Sequence, residues 1–182
     1  MKPIDFIKIA VRDYKNVGAV APTSKYTVKK VIKGLKPEYK YIIEYGAGSG
    51  VFTKEILNVL PHDGKIIAIE MNSNFLKELS KIKDGRLIVL SGDVTKISRD
   101  FSQLGLPRVD VIVSGIPISF LKPLERKELV KNTHDILEGG GRFIVYQYSL
   151  KILPILKDIF REVSYSFEPR NLPPCFVMIG GK

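Results

Sequence analysis

Apolar positions along the chain follow two rhythms. Between residues 3 and 15, Ile4, Ile7, Val11 and Tyr14 recur at spacings of 3, 4 and 3, and Asp5, Lys8, Arg12 and Lys15 repeat those spacings on the other side. This period predicts an amphipathic helix, with Phe6, Ile9 and Ala10 widening its apolar face. Pro22 interrupts it, and Thr23 or Ser24 can cap a second helix through about Gly34. Lys36-Pro37-Glu38 reads as a connector. From Tyr41 onward, short apolar runs alternate with helical periods. Strands are expected at Tyr41–Tyr45, Lys65–Glu70, Arg86–Leu90, Val109–Ser114, Arg142–Tyr148, Val163–Phe167 and Cys175–Ile179. Helices are expected at Phe52–Leu60, Asn74–Ile82, Pro123–Leu137 and Lys151–Phe160. Such alternation predicts an α/β fold with a mostly parallel sheet covered on both faces. Only Glu168–Pro174 links the last two strands. That is too short for a parallel crossover, so they pair antiparallel or are carried by neighbours. The expected organisation is a helical leader, residues 1–40, and one domain, residues 41–182.

Composition narrows the class. The 182 residues are 45% apolar, enough for a proper core and too much for a disordered chain. Cys175 is the single cysteine, which excludes an internal disulfide framework and suits a reducing cytosol. No apolar run approaches the roughly 18–20 residues of a spanning helix. The charges scattered through the N-terminus do not fit a signal peptide. Net charge is +10, from 29 Lys and Arg against 19 Asp and Glu. It is unevenly placed. Residues 1–40 hold ten basic and three acidic side chains, a net +7, while the rest hold 19 and 16, a net +3. The leader is thus the polyanion-facing part, for nucleic acid or an anionic lipid surface.

The first strand ends in Glu44-Tyr45-Gly46-Ala47-Gly48-Ser49-Gly50 and a helix follows. Glycines there let backbone approach a ligand, and ligands of open α/β sheets bind at the carboxyl ends of strands. Dinucleotide binders space these glycines G-x-G-x-x-G; here the spacing is G-x-G-x-G with an acid just before it. Glu44 repels a pyrophosphate and suits an ammonium. Glu70, ending the second strand, can accept two ribose hydroxyls, and Asp93, after the third, can accept from an adenine amino group. Ammonium, ribose and adenine together describe S-adenosylmethionine. With these motifs the chain resembles the class I S-adenosylmethionine-dependent methyltransferases over about residues 41–182. The resemblance implies a single Rossmann-like sheet of seven strands with the last antiparallel. It also implies cofactor contacts from Thr23, Ser24, Glu44, Gly46, Ala47, Gly48, Gly50, Glu70, Met71, Asp93, Val94 and Ser114.

The segment after strand four is Ser114-Gly115-Ile116-Pro117-Ile118-Ser119-Phe120. Enzymes that methylate nucleobase amines carry Asn or Asp first here, and then an aromatic that stacks on the flipped base. Ser114 and Ile118 take those two places, and Phe120 is displaced by two positions. This segment resembles the bacterial phospholipid N-methyltransferases, as do Val17–Ser24, Glu44–Thr53, Gln147-Tyr148 and Asn171-Leu172-Pro173-Pro174. That similarity implies methyl transfer to the amine of phosphatidylethanolamine-type lipids by a cytoplasmic enzyme held peripherally on the inner face of the membrane. The basic amphipathic leader would then lie at an anionic surface, or else cover the active site. An RNA adenine N6-methyltransferase is the alternative, with RNA as partner. A cofactor-binding module without turnover is the non-enzyme alternative. Ser114, Gly115 and Tyr148 are the catalytic candidates, and Tyr14 and Tyr26 are placed to close the pocket. No metal is expected, since His62 and His134 lack paired acids and Cys175 completes no ligand set.

Overall fold

Strands that are apolar on both sides need cover on both sides, and the central strands have it. In the computed structural model, which describes residues 23–182, β2 (Lys65–Glu70) is buried at every position but its first and β4 (Val109–Ser114) at every position. With β1 (Tyr41–Tyr45), β3 (Leu87–Ser91), β5 (Leu137–Gln147), β6 (Glu162–Glu168) and β7 (Cys175–Gly181) they form one seven-stranded sheet, ordered β3-β2-β1-β4-β5-β7-β6. The first five strands of that order are parallel, and β7 is antiparallel to both β5 and β6. The short link before β7 therefore makes a hairpin. The expected helix at residues 3–15, with Tyr14, and the segment 17–22 lie outside the described residues.

Helices cover both faces. On one face α1 (Lys25–Ile32) and α2 (Val51–Val59) bury Val28, Val31, Phe52, Ile56 and Leu57 against Ile42, Ile66, Val111, Val113, Ile144 and Val177. Leu79 of α3 (Ser73–Leu79) packs with Ala47 and Ala68. On the other face, Val94 of α4 (Val94–Ile97), Leu129 and Val130 of α5 (Pro123–Ile136) and Leu156 of α6 (Leu153–Ile159) meet Ile43, Ile67, Ile112, Phe143 and Val145. Each fully buried Val or Leu contributes about 1.5–3 kcal/mol.

Three differences from the expected elements have local causes. β5 begins at Leu137, directly after α5, because Leu137 pairs with Val109 and Arg142 with Val111, and Glu138–Gly141 bulges out between these two pairs. At its other end the pairing with β7 stops at Gln147, so Tyr148 lies beyond the strand. Helix α3 stops at Leu79, three residues earlier than expected, with Ser80 as its C-cap. The short α4 follows Asp93, whose carboxylate accepts from Thr95 N at 2.9 Å and replaces lost backbone partners at the helix start.

The boundary expected at residue 40 does not separate two cores. Ser24 caps α1 by accepting from Thr27 N. Ser24 N and the Thr27 hydroxyl both donate to Asn171 Oδ1, at 2.9 and 3.0 Å. Lys30 Nζ lies 3.2 Å from the buried Glu168, which Arg170 also grips through Nε at 2.7 Å and Nη2 at 3.0 Å. These two cations hold the Glu168 carboxyl down at about 2, the Arg170 hydrogen bonds being the larger cause. Among the described residues, no helix is long and apolar enough to cross a membrane.

Candidate active site

The carboxyl ends of β3, β2, β1, β4 and β5 open on one edge of the sheet, and the expected cofactor residues lie along it. Gly46, Gly48 and Gly50 all have positive φ, at 71°, 55° and 82°. Their roles differ. A side chain on Gly46 would come within 2.5 Å of Ile116 Cγ2, so this glycine lets the loop after β1 touch the loop after β4. Gly50 caps α2, and a side chain there would meet Ile82 and Leu79. It faces packing rather than the open edge. Among the described residues, only Gly48 of the three meets nothing where a side chain would be. Ala47 is buried against α3.

The acids are held differently. Glu44 is 2% exposed, and the Thr53 hydroxyl donates to it at 2.6 Å. Burial pushes its carboxyl up to about 8, against the Thr53 bond and with help from the nearby Glu70 charge. In neutral solution Glu44 is therefore largely protonated until a cation comes near. Glu70 accepts from Gly48 N on one oxygen and from Met71 N and Asn72 N on the other, each at 2.8 Å. A carboxylate has about four acceptor sites, and these bonds engage three of them. Asp93 uses one oxygen on Thr95 N and Oγ1, at 2.9 and 2.7 Å. Val94 is buried beneath it, and Met71 is 66% exposed at the rim.

Ser114 ends β4 with its hydroxyl buried and without a hydrogen-bond partner among the described residues. The loop after it is fixed by a residue to which the sequence reading gave no role. Gln147 donates to the Ile116 carbonyl at 2.7 Å and accepts from the Ser119 hydroxyl at 2.9 Å and from Ser119 N at 3.3 Å. Arg126 adds bonds to the carbonyls of Ser119 and Leu121, both at 2.9 Å. Ile118 is fully buried and offers no stacking face, and Phe120 is 48% exposed. Tyr148 sits mostly buried near Asn171 and Cys175, and burial raises its phenol. The Tyr26 ring takes the Arg170 guanidinium at 4.0 Å.

The residues present suit an aminoacyl-nucleoside. Among the described residues, open space at Gly48, an unpartnered hydroxyl at Ser114 and a buried acid with one oxygen bonded to Thr53 lie along one sheet edge. No group of three potential metal ligands occurs among the described residues.

Comparison with known proteins decides the family. No family model matches the chain. Over 163 residues it is 30% identical to the ornithine lipid N-methyltransferase of Singulisphaera acidiphila, covering 87% of this chain and 84% of that protein. The chain belongs to the class I S-adenosylmethionine-dependent methyltransferases. The methyltransferase is also 30% identical to the fibrillarin-like rRNA/tRNA 2'-O-methyltransferase of Pyrococcus abyssi, over 68% of this chain and 54% of that one. Among solved structures it matches the O-methyltransferase TomG of Streptomyces achromogenes in complex with S-adenosylmethionine. That match has a TM-score of 0.68 at 13% identity, over 100% of this chain and 90% of that one, a likeness of fold. S-adenosylmethionine is accordingly the cofactor of this enzyme.

Proposed function

We propose that the enzyme transfers methyl groups to the amine of a lipid headgroup, of the phosphatidylethanolamine or ornithine-lipid type, at an anionic membrane surface. The observation that carries this is the similarity to the ornithine lipid N-methyltransferase, which runs through 84% of that protein's length. The strand-four loop supports it. A nucleobase enzyme needs an aromatic platform there, and this loop presents a buried Ile118 instead. The basic residues of the leader fit anionic headgroups.

When bound, S-adenosylmethionine supplies a methyl group already activated on a sulfonium. The protein's part is positioning. Glu44 meets the ammonium, Gly46, Ala47, Gly48 and Gly50 shape the cradle, and Glu70, Met71, Asp93 and Val94 hold the nucleoside. Thr23 and Ser24 close the site from the start of α1. Ser114 contributes to cofactor and acceptor alike, and Gly115 and Tyr148 orient the acceptor nitrogen, which must be neutral to present a lone pair.

The test is an acceptor screen with methyl-labelled cofactor. Its arms are phosphatidylethanolamine vesicles, ornithine-lipid vesicles, ribosomal RNA and small amines. Label in either lipid is expected. Label in RNA with none in lipid would reverse the reading in favour of the relative from Pyrococcus abyssi.

A further inference from the structure

Tyr146 stands where three segments of the site meet. Its ring stacks on Phe52 of α2, with centroids 4.8 Å apart. Its hydroxyl rests on Gly115, where even one added methyl group would overlap it, and that same point lies 3.3 Å from the Gly46 carbonyl oxygen. The Thr23 side chain lies beside the phenol at the start of α1, and the titratable groups that face it are Glu44, Tyr148 and Cys175. One hydroxyl thus touches the loop after β4 and lies beside both the loop after β1 and the entrance to α1.

The backbone beneath it is held still. Gln147, 4% exposed, bonds the carbonyls of Ile116 at 2.7 Å and of Tyr146 itself at 3.0 Å. The Ile116 carbonyl is therefore engaged. The N–H groups of an incoming amine are left with the neighbouring carbonyls and the phenol oxygen.

The chemistry favours a neutral group in this place. A carboxylate would hold the acceptor as an ammonium, which has no lone pair to give. Burial raises the Tyr146 phenol above its ordinary value, so it stays protonated in neutral solution. A neutral phenol oxygen has lone pairs to offer an N–H donor.

We infer that the Tyr146 hydroxyl, seated against Gly115, contacts the acceptor amine and turns its lone pair toward the methyl group. The bond from the methyl carbon to sulfur breaks as its bond to nitrogen forms. Nitrogen takes up the positive charge, and its surplus proton passes to water. The inference rests on amine methylation and is indifferent to whether the amine belongs to a lipid.

Two measurements on Tyr146→Phe test it. Turnover with the acceptor found in the screen should fall about 10- to 100-fold. Affinity for S-adenosylhomocysteine should hold within about twofold, and the thermal midpoint within about 2 °C. Separately, protein carrying tyrosine labelled with carbon-13 at Cζ is saturated with S-adenosylhomocysteine and titrated with n-octylamine. The resonance that is missing in Tyr146→Phe should move and saturate. Turnover above half of the original, or a Tyr146 resonance that octylamine leaves in place, overturns the inference. If Tyr146→Phe does not fold, the Tyr146 resonance is assigned by eliminating the signals lost in single Phe variants of the other tyrosines, and a Tyr146 resonance that octylamine leaves in place has the same consequence. Label in RNA instead of lipid overturns the lipid reading and leaves the octylamine titration as the deciding test.

Discussion

The Thr53 hydroxyl donates to the Glu44 carboxyl at 2.6 Å, joining the first helical turn of α2 to the strand that precedes it, and both residues are buried. The bond orients the one acid of the glycine loop before any ligand arrives. It does not repay the burial, which dominates and drives the carboxyl up to about 8.

That shift has a definite sign for stability. The folded state holds the Glu44 proton up to about pH 8, and an unfolded chain releases it near the ordinary value of 4.5. Stability is therefore full below about 4.5 and is lost as pH rises through 8. Urea unfolding of Glu44→Gln should show a flatter profile from pH 5 to 9. The variant should also be more stable than the parent at pH 9 by roughly 2–4 kcal/mol. Parallel profiles for the two proteins would mean that Glu44 is ionised in the folded state.

Glu168 works in the opposite direction. Arg170 and Lys30 hold its carboxyl at about 2, so its contribution is present above about 4.5 and is lost as pH falls through 2. Glu168→Gln should weaken the attachment of α1 to β6 at neutral pH and remove the acid-dependent part of that attachment. Amide exchange at Val28 and Val31, followed at pH 7 and pH 3, reads this directly. Equal protection in parent and variant at pH 7 would show that the apolar face of α1 alone holds the helix.

The contact between Gly46 and Ile116 predicts a coupled pair. Gly46→Ala places a side chain at a φ of 71° and against Ile116 Cγ2, and should destabilise by about 2–4 kcal/mol. Ile116→Ala removes the collision and leaves the backbone strain. Denaturation of both single variants and the double variant should give a coupling of about 1 kcal/mol. Additivity would place the two loops further apart than they stand here.

Much of the architecture is legible in the sequence. The bounds of β1, β2 and β4 were read without error, because strands buried on both faces carry unbroken apolar runs between clear turn residues. The start of β5 is not legible in the sequence because Glu138–Gly141 has no apolar signature and bulges between the Val109–Leu137 and Val111–Arg142 pairs, so only pairing with β4 brings Leu137 into the strand. Glu44, Glu70 and Asp93 were legible as strand-end acids. How many of their oxygens the backbone would occupy was not. Tyr146 and Gln147 were within reach: alternation along β5 puts Tyr146 on the same side as Ile144, the side facing α1 and α2. The sequence by itself determined the alternation of strands and helices, the glycine loop with its flanking acid, and a leader carrying most of the positive charge. These are properties of local pattern and composition. Tertiary structure alone decided that Glu44 is buried against Thr53, that α1 belongs to the core through Asn171 and Glu168, and that the Tyr146 hydroxyl meets Gly115. Each of these joins residues distant along the chain or depends on how much water the fold leaves around a charge, and neither quantity is written in any single segment.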